Sequence, residues 1–274
     1  MIHYYKHQEI DKKKWDAAIE ASFNGNIYAL SWYLDAVSPG WEALVKGEYL
    51  EVMPLTCKRK WCIDYLRPAF ITQQLGVFSI KEKQIFAVDD FIAAIPEKFK
   101  WIDIYLNHFN KYHYSDKFLN ANYELSLAKN HQTLTQGYST NTRRNLKKAY
   151  SEELSVSEVF GIEPIIQIFK NHKGSLLPSV KEDYYDALKR VYQQSKQGPF
   201  SEAYLVEQNG KAIAGALFFK FKGRITFIFS ASSAEAKNSK AMFFLIDNFI
   251  KNNSGRELIL DFEGSNIESL AKFY

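Results

Sequence analysis

The stretch that decides the fold opens with Glu202-Ala203-Tyr204-Leu205-Val206-Glu207-Gln208-Asn209-Gly210 and closes with Leu260-Asp261-Phe262-Glu263-Gly264-Ser265-Asn266. Three runs rich in β-branched and aromatic residues, 203–207, 212–221 and 224–230, are joined by Gln208-Asn209-Gly210 and Lys222-Gly223. Short turns carrying Asn-Gly or Xaa-Gly favour tight hairpins, so the stretch begins as an antiparallel meander. Over 238–252, Met242, Phe243, Leu245, Ile246, Phe249 and Ile250 recur at three- and four-residue spacings, which predicts a helix with its apolar stripe on the sheet. Gly255 stops it. A strand over 258–262 then returns to the sheet. Because a helical crossover brings a strand back parallel to the one before it, this strand is expected beside 224–230.

The whole chain bounds what the stretch can belong to. With 274 residues, 46% hydrophobic and 24% charged, it has material for one large core or two small ones. A net charge of +4, from 35 basic and 31 acidic residues, gives no global excess that implies nucleic acid, so any basic surface is local. Met1-Ile2-His3-Tyr4-Tyr5-Lys6-His7 lacks the apolar core of a signal peptide, and no run is long enough to cross a bilayer. Cys57 and Cys62 flank a basic turn without a second Cys/His pair, and His108, His113 and His131 have no ligand spacing. The expectation is a reduced cytoplasmic protein with no metal. A Gly-x-Ser-x-Gly elbow and a Gly-Lys-Ser/Thr phosphate loop are both absent, which disfavours hydrolase and nucleotidase chemistry.

Read in order, the first half predicts helices over 10–22 and 30–37, a hairpin of 41–46 with 49–57, a helix over 88–98 and strands over 101–107 and 118–127. Helices, hairpin, helix and strand repeat the order seen in the second half, which suggests a duplication into domains 1–135 and 136–274, divided in the polar stretch 129–142. Like domains would meet along their sheets and leave a groove. Further helices are expected over 142–150, 162–170 with Pro164 in its first turn, and 181–195, with a loop over 172–179 that could cross the mouth of a groove.

Two local stretches, Asn141-Thr142-Arg143-Arg144-Asn145-Leu146-Lys147-Lys148-Ala149 and Asp261-Phe262-Glu263-Gly264-Ser265-Asn266, stand in an order and at a separation that resemble the GNAT acyltransferases. The closer resemblance is to the FemAB-like and BioF2-like branch, whose chains hold two such domains in tandem, and it covers most of the sequence. It implies an α+β chain of two tandem GNAT-like domains, with mixed, mostly antiparallel sheets flanked by helices and a degenerate N-terminal domain. It also implies a transferase moving an acyl group from acyl-CoA, acetyl-CoA first, to an amine on a small molecule or peptide. A FemAB-type alternative takes the group from aminoacyl-tRNA to a peptidoglycan precursor or peptide. A third alternative is a non-catalytic GNAT-like binding protein. Members of the branch commonly continue past this kind of sequence with Phe-Gly and a last strand, so the sheet is expected to have a bare edge or a missing final element.

Candidate site residues follow from chemistry and from that resemblance. Arg143, Arg144, Lys147 and Lys148 project from one helix and can grip the phosphates of a coenzyme A tail or of tRNA, although such a run also makes an ordinary solvated face. Ser230, Ser232, Ser239 and Lys240 lie where an acetyltransferase holds pantetheine and pyrophosphate. The family's Gln/Arg-x-x-Gly-x-Gly/Ala signature is replaced there by Ala234-Glu235-Ala236-Lys237-Asn238-Ser239-Lys240-Ala241, without a glycine, and helix capping by Asn238 and Ser239 explains those polar residues equally well. Strand alternation puts Asp261 and Glu263 on one face at the strand's carboxyl end, as candidate general bases for a substrate ammonium. Asp261 paired with a nearby cation and a Ser265/Glu268 capping box are the structural readings of the same residues. Tyr184, Tyr185 and Tyr204 can line an acceptor pocket or simply pack, and His172 sits in a loop.

Overall fold

The computed structural model describes residues 1–274 except 116, 175, 176, 178, 179, 265, 267–272 and 274. It divides into two compact units, the first made of Met1–Leu119 with Gln193–Ser195 and the second of Asn120–Tyr192 with Lys196–Tyr274. The second unit begins ahead of the polar stretch expected to carry the boundary, because the short strand Glu124–Ser126 pairs with Ile259–Asp261, the last strand among the described residues.

In the first unit, β1 (Ile2–Tyr5) is followed by α1 (Lys12–Ala21), whose Asp11 accepts hydrogen bonds from the Lys13 and Lys14 amides, and by α2 (Ser31–Val37). The hairpin β2 (Glu42–Lys46) and β3 (Glu51–Leu55) forms as expected. A second hairpin that the sequence did not announce, β4 (Cys57–Lys60) and β5 (Ile63–Leu66), comes next. After β6 (Phe78–Ser79) and β7 (Phe86–Ala87), α3 runs only over Asp89–Ala93. The helix expected to reach residue 98 is cut short because Pro96 disfavours helical backbone in the residue before it and lacks an amide to donate. The strand expected over 101–107 is β8 (Phe99–Ile102), parallel to β5, and β9 (Asn110–Lys111) pairs with β7.

The second unit starts with β10 (Glu124–Ser126), all that forms of the strand expected over 118–127. Then come α4 (His131–Gln136), inside the stretch read as a linker, and α5 (Thr140–Tyr150), whose first turn is capped by Ser139 accepting from the Thr142 amide. An unforeseen edge strand, β11 (Leu154–Val159), precedes α6 (Glu163–Asn171) and α7 (Glu182–Ser195). The meander β12 (Ser201–Gln208), β13 (Lys211–Phe221) and β14 (Arg224–Ser232) follows, with Asn209-Gly210 and Lys222-Gly223 at positive φ in its turns. The helix expected over 238–252 is two helices, α8 (Ala234–Ser239) and α9 (Ala241–Asn253), separated by Lys240 at φ +61°. Finally β15 (Ile259–Asp261) lies parallel to β14, as the crossover required. The sheet order is β10-β15-β14-β13-β12-β11.

Helices cover both faces of that sheet. On one face Phe249 of α9 stacks on Phe218 of β13, with ring centroids 3.8 Å apart, among the buried Phe227, Leu260 and Phe262. On the other, Ile165 of α6 approaches so closely that a Cβ on Gly215 would stand 2.7 Å from its Cγ1, which is why β13 carries a glycine at its centre. The loop expected over 172–179 and the Ser265/Glu268 capping box fall partly or wholly outside the described residues. No helix among the described residues is long and apolar enough to cross a membrane.

Candidate functional site

Strand β14 is a regular neighbour of β15 for only three residues, with Arg224, Ile225 and Thr226 opposite Ile259, Leu260 and Asp261. Residues 228–232 then run on along β13 with no strand on their other side among the described residues. A bulge lies just past the end of that pairing. Leu217 pairs with Phe229 and Phe218 with Phe227, so Ile228 is the extra residue, and it reverses which face the following side chains take. Phe227 faces α9, while Phe229 faces α6, its ring 5.0 Å from Phe169 and 6.4 Å from Tyr184 of α7. The result is a wedge with an aromatic floor and, on one side, a backbone edge that no strand covers among the described residues.

Both predicted carboxylates lie on the α6 face beside the wedge, in different environments. Asp261 is 2% exposed; Oδ2 accepts from Arg224 at 2.8 Å and Oδ1 from the Glu263 amide at 2.8 Å. Burial pushes its carboxyl above the ordinary value, and the Arg224 guanidinium pulls the other way. Arg224 also donates to Glu124 of β10 at 2.6 Å, so one cation joins three strands. Glu263 is half-buried with its backbone at φ +59°. Gly264 fixes its place, since a Cβ there would meet the Ala121 carbonyl oxygen at 1.8 Å. The Glu263 carboxylate lies close enough to Tyr184 that, after burial itself, its charge is the next largest cause raising that phenol above its usual range. The structure therefore brings Asp261, Glu263 and Tyr184 together. Tyr185 packs behind, buried between Phe169 and Tyr184 with the Lys170 ammonium 4.5 Å from its ring centre.

The remaining predicted residues are on the α9 face or on α9's neighbours. Ser230 and Ser232 pair with Ala216 and Ala214 and, past the bulge, face away from Tyr184. Tyr204 packs on Phe218 and Phe249 and donates to Glu202. Neither Asn238 nor Ser239 is a helix cap: Ser233 caps α8, and the buried Ser239 hydroxyl donates back to the Glu235 carbonyl. Half-buried Lys240 contributes its backbone, the carbonyl accepting from Phe243 and Phe244 at the start of α9. On α5, Arg143, Arg144 and Lys147 are exposed; Arg143 donates to the Gln136 carbonyl and Arg144 to Asn141. Among the described residues no cluster of His, Cys, Asp or Glu is arranged to hold a metal.

A polar centre that sequence reading missed lies where α4, α5 and α9 meet. Asp247, 4% exposed, accepts from His131 Nε2 at 2.9 Å and from the hydroxyls of Tyr138 at 2.9 Å and Tyr150 at 2.6 Å. Burial foremost, with the Asp247 carboxylate, raises both phenols above their usual range. An open pocket of about 570 Å³ lies over it, lined in part by Arg143, Leu146 and Gln136. Asp247 is the one charge within the apolar run 241–250, which is the signal that could have found it.

No family model and no curated protein matches the sequence. Solved structures do match. The chain is similar to FemX, with a TM-score of 0.66 at 14% identity over 96% of this chain and 92% of that one. It is also similar to a conserved protein of unknown function from Bacteroides thetaiotaomicron VPI-5482, with a TM-score of 0.56 at 11% identity over 100% and 95%. L-PGS from Bacillus licheniformis matches with a TM-score of 0.50 at 12% identity over 94% and 78%. At these identities the likeness is one of fold: the chain shares with FemX a mixed α/β architecture of mostly antiparallel sheets flanked by helices.

Proposed function

We propose that the chain transfers an acyl group from an activated ester or thioester to an amine, and that the wedge between β14 and β15 is where the two meet. The observation that carries this is the edge 228–232 of β14, with no strand beside it among the described residues, next to Glu263 and Tyr184. An extended donor can hydrogen-bond to that edge as an added strand would, and its backbone amides can stabilise the oxyanion formed at the carbonyl. The Glu263 carboxylate takes the proton from the attacking ammonium; the amine nitrogen then forms the bond to the carbonyl carbon. The carbon–sulfur or carbon–oxygen bond to the leaving group breaks, and that group takes a proton from Tyr184, which burial and the neighbouring carboxylate keep protonated at neutral pH; the second proton shed by the nitrogen as the amide forms returns to the Tyr184 oxygen, and Glu263 releases the first to solvent. Asp261, bonded through both oxygens, positions Glu263 and not the proton.

Two donors fit this chemistry. Acyl-CoA suits that strand edge, but the turn into α9 has no glycine and holds an extra short helix with Ala236 buried in the core, a poor cradle for pyrophosphate. Aminoacyl-tRNA is the second reading, supported by the FemX likeness along nearly the whole chain and by the exposed cations of α5. Transfer of a labelled group from acetyl-CoA and from aminoacyl-tRNA to a panel of amines and peptides tests both. Turnover with either, abolished in Glu263→Gln, supports the reading; binding of a donor without transfer to any acceptor leaves a binding protein. Salt dependence separates the donors, since tRNA contacts release many counterions and a coenzyme tail few.

A further inference from the structure

The first unit carries a feature that acyl transfer does not use. Hairpin β4–β5 closes through a two-residue turn, Lys60 opposite Ile63, with Trp61 at φ +53° and Cys62 at φ +63°. Both central residues of such a turn take positive φ, a conformation suited to Asn and Gly and strained for a bulky side chain. The two other hairpins of this kind among the described residues use Asn209-Gly210 and Lys222-Gly223. Here the strain holds Trp61 at the tip, 86% exposed, beside Ile63, which is also exposed. Trp101, on β8 of the same three-stranded sheet, is 69% exposed.

The charge around these side chains is one-sided. Strands β4, β5 and β8 carry Lys58, Arg59, Lys60 and Lys100 against Asp64 alone, and Asp64 is 3.5 Å from Arg59. Lys58, Lys60 and Lys100 are exposed and form no ion pair among the described residues. Lysines on an edge strand also discourage edge-to-edge pairing, but that gives no reason to mount a tryptophan on strained backbone at the tip. Exposed indole and isoleucine ringed by unpaired ammonium groups complement a surface with an apolar interior and anionic head groups.

We propose that the Trp61 hairpin docks the first unit on an anionic lipid surface, Trp61 and Ile63 entering the head-group layer and Lys58, Lys60 and Lys100 facing the phosphates. The test is flotation of the full chain with vesicles of phosphatidylcholine and phosphatidylglycerol in a 3:1 ratio, against phosphatidylcholine alone. The chain floats with the anionic vesicles and not the neutral ones, and added salt releases it. Lys58→Gln and Lys60→Gln each lower the partition about fivefold, the equivalent of about 1 kcal/mol per cation at the surface. Trp61→Asn lowers it about tenfold while keeping the turn, because Asn tolerates the left-handed backbone; its melting temperature equal to or above the parent's shows that folding is intact. Equal flotation with both lipids, no flotation, or unchanged partition of Trp61→Asn would overturn the proposal. So would a dimer of the parent chain that Trp61→Asn dissociates, which would make the patch a self-association surface.

Discussion

Each unit contains a hairpin strand, a crossing helix and a strand that returns parallel, yet the two parallel pairs end differently. In the first unit β5 and β8 stop together, Leu66 opposite Ile102. In the second, β14 continues past the end of its pairing with β15, with the bulge at Ile228 just beyond that end. A pair that ends together leaves no edge open between its strands; a pair in which one strand runs on presents, among the described residues, a backbone edge with no strand beside it. The same topology thus yields strands that end together in one unit and a candidate site in the other; both units carry a register shift, and the difference is how far one strand outruns its parallel neighbour.

The sharpest way to test that difference is at Glu263. If the wedge is the reacting site, Glu263→Gln lowers turnover about 10²- to 10⁴-fold, the range of a general base, with the melting temperature unchanged. Next comes the cation joining β10, β14 and β15. Arg224→Met leaves Asp261 buried without its charge partner and is expected to cost about 3–5 kcal/mol in urea unfolding at pH 7. The carboxyl of Asp261 already lies above its unfolded value, and losing Arg224 raises it further. A group that binds its proton more tightly when folded gains stability as pH falls through the folded pKa. The gap between variant and parent therefore narrows on acidification and widens toward neutrality. A smaller effect is expected where α6 meets β13: Gly215→Ala pushes Ile165 and the backbone of Tyr204, costing about 1–3 kcal/mol. Smallest for stability is α5. Arg143→Gln with Lys147→Gln changes it by about 0.5 kcal/mol or less. The same pair lowers donor affinity about tenfold if these cations hold phosphates; unchanged affinity separates α5 from the site.

Local chemistry made much of the fold legible. Asn209-Gly210 and Lys222-Gly223 predict the meander because they tolerate the positive φ that they adopt, and the apolar spacing of Leu245, Ile246, Phe249 and Ile250 predicts α9. Where backbone strain is carried by residues that do not advertise it, reading failed. Trp61-Cys62 hid the β4–β5 hairpin, and Lys240 hid the break between α8 and α9. Strand β11 was missed because serines interrupt its half-buried Leu154 and Val156, and β10 because its partner lies far along the chain. Alternation placed Asp261 and Glu263 on one face, and the structure puts both on the α6 face. Alternation could not reveal the bulge at Ile228, which sends Ser230 and Ser232 to the opposite side from Tyr184. The Arg224 partner of Asp261 depends on a parallel pairing that fixes two strands but not their side chains.

Amide hydrogen exchange over residues 228–232, with and without a non-hydrolysable acyl-CoA or aminoacyl-RNA, asks most directly whether this edge of β14 is where a donor lies. Exchange of the amides that point away from β13 is predicted to be fast in the free protein and to slow on adding one of the two, with β5 and β8 unaffected. A donor that binds while this segment keeps its free-state exchange would contradict the wedge as the site of transfer.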